Sequence, residues 1–470
     1  MNLSVEKKYY YRFLCGVLLT VIATGMFFCA WAKIGEVHHF SNALIGYAGW
    51  VALLAIYVFL YVITVRSFRG FRIGVERKAS AIATQIISLF FVDALEILIT
   101  IVVIGRPCYS GDLVLCFIVL FIAQSLVLSL AIIVMINLYR KVFSALSLIE
   151  VHGDRPNDFG DKVNALRYKY HIDKRVHYKN SDLKNLILQH DAVLINDIPA
   201  EEHNDLLKYC FNYDKRVYFV PKISDILVKQ SDRLNLFDTP LCLNRNCGIT
   251  KTEKALKRVF DIFFSLFCLV LSSPIFAVTA LAIKINDGGP VFFRQERCTI
   301  NCKRFMIIKF RSMIVDAEKD GKSHPAGEDD DRITKVGKII RATRIDELPQ
   351  LINILKGEMS VIGPRPERVE HVEYYTANIP EFALRSKVKG GLTGYAQVYG
   401  KYNTTALDKL KMDLVYITNY SLLLDFQIII ETLKILFQKE STEGFTEARA
   451  AEMHDSEISL EKTNVEKTNE

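Results

Sequence analysis

Ile262-Phe-Phe-Ser-Leu-Phe-Cys-Leu-Val-Leu-Ser-Ser-Pro-Ile-Phe-Ala-Val-Thr-Ala-Leu-Ala-Ile283 carries no charge along its whole length. It is long enough for a bilayer helix, which takes about 20 residues. Ser272, Ser273 and Pro274 stand at its middle. A proline inside a helix removes a hydrogen bond and bends the axis. Both flanks are basic, Lys257 and Arg258 before, then Lys284, Arg294 and Arg297 after. Lys and Arg collect on the cytoplasmic side of a membrane, so a single crossing would strand one basic flank. The pattern predicts a re-entrant helix over 258–284 that enters the bilayer, breaks at Ser273-Pro274 and returns. The two serines would satisfy the carbonyls freed at the break. The competing reading is a fifth span with a proline kink, which would put everything downstream outside the cell.

Downstream, Arg341-Ala-Thr-Arg-Ile-Asp-Glu-Leu-Pro-Gln350 sets Asp346 and Glu347 side by side. Leu348, Leu351, Ile352 and Leu355 follow at helical spacing, and Gly357 supplies a stop. Asp346 thus falls at or near a helix start, where free N–H groups and the dipole favour carboxylate and phosphate alike. Adjacent helical residues point about 100° apart. The two acids therefore suit separate tasks, one attacking and one holding a metal. The bland alternative is a capping Asp346 and a solvated Glu347.

The surroundings favour chemistry. Gly289–Arg297 and Phe305–Met313 mix aromatic and aliphatic side chains with Arg and Lys, as suits a surface at headgroup level. Lys309 and Arg311 are two apart on an expected strand and should share a face. Asp329-Asp-Asp-Arg-Ile-Thr334 reads as a turn rather than a metal site. Pro364 and Pro366 fix the backbone around Arg365, readying its guanidinium for a two-pronged grip on phosphate. Lys387–Gln397 holds a glycine-rich turn whose N–H groups could approach an anion. Asp413–Phe437 reads as an amphipathic helix pair on the membrane, and 440–470 as a disordered tail.

Upstream, Phe13–Ala32, Phe40–Val65, Ala79–Gly105 and Leu113–Leu138 are each long enough to span. Basic residues gather before the first, between the second and third, and after the fourth. That places both termini and the rest of the chain in the cytoplasm. Asp93 and Glu96 break the third run on one helix face. They are functional, or an inter-helix hydrogen bond, a dimer contact or protonated acids. Between 141 and 250 short strands alternate with helices: Ser144–Val151, Arg175–Tyr178, Ala192–Asn196, Arg216–Val220 and Pro240–Leu243 read as strands. This is a parallel, Rossmann-like pattern. Glu150-Val-His-Gly-Asp154 has one glycine where a dinucleotide turn needs three, which argues against an NAD enzyme and for a docking, regulatory or spacer role. The net charge is only +7, on a chain that is 50% hydrophobic. Such a modest excess favours an anionic membrane face over nucleic acid as partner. The ten cysteines show no disulfide framework, and their spacings fit zinc poorly.

The fold expected is membrane α plus α/β. Four transmembrane helices form a bundle over 1–140, and a small Rossmann-like parallel-sheet domain covers 141–250. An α-rich monotopic catalytic domain covers 251–439.

From about Lys257 to Phe437 the chain resembles the bacterial sugar transferases, the monotopic polyprenyl-phosphate hexose-1-phosphate transferases. The likeness rests on Ser273-Pro274, Gly-Pro-Val-Phe-Phe-Arg-Gln-Glu-Arg297, Lys-Phe-Arg-Ser-Met313, Asp346-Glu-Leu-Pro-Gln350, Val-Ile-Gly-Pro-Arg-Pro366, Leu-Thr-Gly-Tyr-Ala-Gln-Val398 and Asp413-Leu-Val-Tyr416. The N-terminal architecture is similar to the large-form members. The resemblance implies transfer of a hexose-1-phosphate from a UDP-sugar, glucose or galactose first, to undecaprenyl phosphate at the inner face of the bacterial plasma membrane, with release of UMP. This step starts capsule, exopolysaccharide or O-antigen units. The resemblance also implies Asp346 as nucleophile, Glu347 assisting, and Mg²⁺ held by Asp346 and Glu347. Lys309, Arg311, Arg341 and Arg365 match positions around the phosphates; Pro364, Pro366 and Gln397 lie in matching motifs. Lys389-Gly390-Gly391 replaces the family's usual Lys-Pro-Gly. Membrane lipids are expected partners and a homodimer the expected assembly. The rival reading is a non-catalytic membrane scaffold or sensor.

Overall fold

The computed structural model describes residues 3–37, 47–104, 110–154, 159–164, 166–236, 238–244, 248–315, 317, 330–400 and 404–436. The expected tail over 440–470 lies outside them. The chain divides into two compact units, Met1–Pro221 and Lys222–Glu470.

The first unit opens with four helices: α1 Leu3–Val37, α2 Tyr47–Ser67, α3 Lys78–Ile104 and α4 Ser110–Val142. All four are long and apolar enough to cross a membrane. They share one buried cluster that includes Leu19, Phe27, Tyr57, Leu89, Phe117 and Ile132. Large apolar residues such as Phe13, Phe59, Leu98 and Leu126 point outward. That is the arrangement hydrocarbon favours and water does not.

A parallel sheet follows, from β1 Leu146–His152, α5 Phe159–Asn164, β2 Tyr170–His177, α6 Leu183–Gln189, β3 Ala192–Asn196, α7 Ala200–Asn212 and β4 Arg216–Phe219. Its order is β2-β1-β3-β4, every pair parallel. β3, buried at every position, and the buried centre of β1 fit a sheet covered on both faces. Pro240–Leu243, expected as a fifth strand of this sheet, is not part of it. It belongs to the second unit.

The second unit begins with α8 Ile223–Val228, then β5 Asp232–Leu236 and β6 Thr239–Leu243, which pair antiparallel. The short Phe237-Asp238 link explains why: two residues allow a hairpin but no parallel crossover. Next comes α9, Lys251–Asp287, opened by a capping box at Thr250 and Glu253 and closed by Gly288 in the left-handed region (φ 71°). The expected break is absent as such. α9 is one helix with Pro274 inside it. The reason is local compensation: Ser273 Oγ donates to the Val270 carbonyl (2.8 Å), the acceptor that proline leaves idle, and Ser272 Oγ donates to Cys268 (2.6 Å).

α9 is inside out. Its buried residues are Lys257, Asp261, Ser265, Ser272, Thr279 and Ile283, while Phe263, Phe267, Val270, Leu271, Val278 and Leu281 are exposed. Both halves pack on the same unit.

The chain continues through β7 Phe292–Cys298, β8 Arg304–Phe310, α10 Lys335–Ala342, α11 Gln350–Lys356, β9 Ser360–Ile362, α12 Val369–Asn378, β10 Gly391–Thr393, α13 Tyr395–Tyr399, α14 Ala406–Thr418 and α15 Leu422–Leu436. β7 and β8 form an antiparallel hairpin, and β10 pairs parallel with β9. α14 and α15, expected to lie on the membrane, instead fill the core with Leu410, Leu414, Tyr416, Ile417 and Ile428. Their stripe is apolar because it faces protein. Among the described side chains of α15, Leu423, Phe426 and Leu433 face out.

Long-range ties fix the first half of α9. Lys257 Nζ donates to Asp425 Oδ2 (2.7 Å), and Tyr416 Oη donates to Asp425 Oδ1 (2.8 Å). Asp261 Oδ1 accepts from Ser360 Oγ (2.9 Å) and Val361 N (3.0 Å). Breaking a buried ion pair from one side strands the other charge, at about 3–5 kcal/mol. Lys257→Met should therefore lower the thermal midpoint of the solubilised protein by several degrees, read by unfolding in detergent micelles. Asp425→Asn in addition should recover part of the loss.

Candidate active site

Four pieces of chain build the site: β8, the turn after α10, α11 and the loop after β9. α10 ends at Ala342, and Arg344 then takes a left-handed conformation (φ 59°), a costly choice for a residue with a side chain. That reversal starts the 3₁₀ turn Ile345–Glu347, one step before α11, whose N-cap is Pro349 and whose stop is Gly357 (φ 86°). Asp346 thus precedes the helix rather than opening it.

The turn gives the two acids different surroundings. Glu347 is half-enclosed by cations: Oε1 accepts from Lys309 Nζ (3.3 Å) and Arg365 Nη2 (3.0 Å), and Oε2 lies 3.8 Å from Arg344 Nη1. Asp346 makes no hydrogen bond or ion pair among the described residues; Lys309, Arg341 and Arg344 act on it through space. Burial pushes the Asp346 carboxyl up, and Lys309 opposes the shift without cancelling it. Burial alone would also raise Glu347, but Arg365, Lys309 and Arg344 outweigh it and hold that carboxyl well below the usual range. Lys309 is pulled down by burial against the attraction of Glu347. Neighbouring acids whose affinities for protons are driven apart are ready for distinct roles. Because Lys309 lowers the Asp346 carboxyl, Lys309→Met should move the acid limb of the kcat/KM profile to higher pH; activity that needs the carboxylate would be lost earlier as pH falls. An unchanged limb would mean that Asp346 is not the group titrating.

Arg365 is presented by a braced turn. Pro364 and Pro366 are buried, with Arg365 between them. Arg385 Nη2 donates to the Arg365 carbonyl (3.1 Å), while its Nε donates to Asp413 (2.9 Å). Glu367 lies 3.5 Å from Arg385 and 3.3 Å from Lys409; burial opposes them, yet the cations hold its carboxyl down to about 2. The glycine-rich stretch serves this turn instead of opening toward an anion. A Cβ on Gly363 would lie 2.4 Å from the Lys389 carbonyl, and one on Gly390 2.6 Å from Pro366 Cγ. The glycines let two backbones touch.

The remaining expected residues fall elsewhere. Arg311, two residues from Lys309 but past the end of β8, pairs with Asp287 at the exit of α9. Its Nε and Nη1 are buried without hydrogen-bond partners. Gln397 sits on α13 with Oε1 buried and unpartnered, and no hydrogen bond among the described residues links it to the acids. Asp330 bonds its own Arg332 (2.9 Å) in the turn before α10; Asp329 lies outside the described residues. Arg344, Glu367, Arg385 and Lys409 were not singled out by sequence. Glu367, Arg385 and Lys409 are lone charges whose partners are distant in the chain, whereas Arg344 lies only three residues before its partner Glu347.

Among the described residues no group of three or more His, Cys, Asp and Glu gathers as a metal cage. Magnesium needs less: one or two carboxylates, with water and substrate phosphate completing the shell. Asp346, with both oxygens free of hydrogen bonds, fits that donor set. The Glu347 oxygens are already engaged by cations.

Taken together, the fold and the site define a membrane protein whose second unit carries a carboxylate pair ringed by basic side chains. Residues 252–439 match the family described as bacterial sugar transferase. The chain belongs to that family. It is 40% identical over 189 residues to "Exopolysaccharide production protein PSS" of Rhizobium leguminosarum bv. phaseoli, covering 38% of this chain and 94% of the relative. It is 42% identical over 230 residues to "UDP-glucose:undecaprenyl-phosphate glucose-1-phosphate transferase" of Klebsiella pneumoniae, 46% of this chain and 48% of the relative. It is 37% identical over 255 residues to "UDP-N-acetylgalactosamine-undecaprenyl-phosphate N-acetylgalactosaminephosphotransferase" of Aeromonas hydrophila, 53% and 59%. The chain spans about half the length of the last two relatives.

Proposed function

We propose that the protein moves a hexose-1-phosphate from a UDP-sugar to undecaprenyl phosphate, the first step of a surface polysaccharide unit. The observation that carries this reading is the contrast within one dipeptide: Glu347 fixed by Lys309, Arg365 and Arg344, and Asp346 half-buried with no hydrogen-bond partner among the described residues. An Asp346 oxygen attacks the phosphorus that bears the sugar, and the bond to UMP breaks. The covalent Asp346–phosphosugar is then attacked at the same phosphorus by the lipid phosphate, which frees the carboxylate. One phosphoanhydride replaces another, so no ATP is required. Arg365 and Lys309 neutralise oxygens of the transferring group, and Arg341 steers the anionic donor. Mg²⁺, when bound at Asp346, supplies further charge neutralisation on the phosphates. Two half-reactions let a soluble donor and a lipid acceptor use one cleft in turn.

The membrane reading is part of the proposal. A straight 37-residue α9 would be about 55 Å long, well beyond a hydrocarbon core of about 30 Å. Yet Lys257 and Asp261 pack on α15 and β9, while Ile283 packs on Phe310 and Asp287 pairs with Arg311. Both ends on one unit favour a helix bent at Pro274 that enters and leaves through the cytoplasmic face, with its apolar side in lipid. α1–α4 would form a transmembrane bundle ahead of a cytosolic sheet domain, in the inner membrane and as a homodimer. The first sugars to try are glucose and galactose. The glucose in the Klebsiella relative's name favours glucose.

The test is kinetic. Purified protein offered UDP-glucose and undecaprenyl phosphate should give parallel initial-rate lines and should exchange labelled UMP into UDP-glucose without the lipid. Intersecting lines with no exchange would replace the covalent route by direct transfer. Absence of UMP release across a panel of UDP-sugars would favour the scaffold reading.

A further inference from the structure

We propose that α1–α4 enclose a binding site for a dehydrated cation, with carboxylate oxygens of Asp93 and Glu96 and the Gln124 amide oxygen as ligands. Asp93 and Glu96 lie one turn apart on α3, 3% and 0% exposed. They are buried within a single chain, so a dimer contact does not account for them. Neither is an inter-helix hydrogen bond: among the described residues all four carboxyl oxygens lack a partner. No Lys, Arg or His is buried in α1–α4 among the described residues, so no internal base offsets two acids at membrane depth, where charge is expensive.

Gln124, on α4, is the independent pointer. It is fully buried, and its Nε2 donates to Ala23 O (3.0 Å) and Tyr57 Oη (2.9 Å). Those bonds fix which end of the amide is nitrogen and leave Oε1 without a donor. The Tyr57 hydroxyl that accepts from Gln124 is itself within electrostatic reach of both acids, so Gln124 and the acids belong to one polar layer of the bundle. Gln85 adds another orphan carbonyl oxygen on the same helix as the acids. The surplus lies in acceptor oxygens: the orphan carboxylate and amide oxygens outnumber the buried hydroxyls of Thr24 and Ser125 that also lack a partner. A hard cation stripped of water requires that composition, and a polar packing layer does not.

The test uses the full chain in nanodiscs of neutral lipid and compares thermal midpoints in choline, sodium, potassium and calcium chloride at matched ionic strength. One metal cation should raise the midpoint saturably, by at least about 3 °C above choline. Asp93→Asn with Glu96→Gln should erase that rise. A midpoint indifferent to the cation overturns the proposal. So does a rise of equal size in the double variant, or one that follows only pH, which would mean that protons occupy the acids. Should the double variant fail to fold, Gln124→Leu removes one ligand and leaves both acids. It should raise the half-saturating cation concentration at least about 5-fold, and an unchanged value overturns the proposal.

Discussion

Asp346→Asn should abolish turnover, with a loss of at least about 10³-fold, and should leave no sugar phosphate on the protein. Removing a nucleophile from a covalent route typically costs this much or more. The amide is nearly isosteric with the carboxyl, and Asp346 makes no hydrogen bond or ion pair among the described residues that the substitution would break. The thermal midpoint should therefore hold while the chemistry fails. The measurement is radiolabelled UDP-glucose incubated with protein and no lipid acceptor, followed by denaturing gel. Label on the Asn variant, or near-normal turnover, would remove Asp346 from the attacking role.

Glu347→Gln should cut kcat by about 10²-fold through a different route. Glu347 counterbalances Lys309, Arg365 and Arg344 and holds them in one arrangement. Without its charge those side chains repel one another and lose orientation, a cost paid in positioning and electrostatic stabilisation. Glu347 also raises Asp346 through like-charge repulsion. The sign follows: neutralising Glu347 lowers the Asp346 carboxyl, so the acid limb of the pH profile moves to lower pH, opposite to Lys309→Met. The variant should still accumulate the labelled adduct, more slowly. Adduct on Asp346→Asn together with none on Glu347→Gln would mean the roles of the two acids are exchanged.

The site was legible in sequence as far as local pattern reaches. Asp346 and Glu347 are adjacent, Arg365 is bracketed by prolines, and α9 announces itself by an uncharged run with a proline at its centre. Lys309 is marked by its strand; Arg311, just past the strand's end, carries in the sequence no sign of its partner Asp287, 24 residues away. In the glycine-rich stretch, composition marks where backbone can come close, but not whether an anion or the Pro364–Pro366 turn is what it meets. In α14 and α15, periodicity says that one face is buried and leaves its partner, lipid or protein, open.

What the sequence by itself determined is what depends on neighbours a few residues away: the apolar spans, the β-α alternation of the first unit and the acid pair. Only the tertiary structure decided which acid is held and which is left unpaired. The cations on Glu347 come from 38 residues upstream and 18 downstream, and the anchor Lys257–Asp425 joins positions 168 apart. Such pairings are chosen by packing of whole elements, and the long-range geometry that brings two charges together leaves no periodic trace in the chain between them.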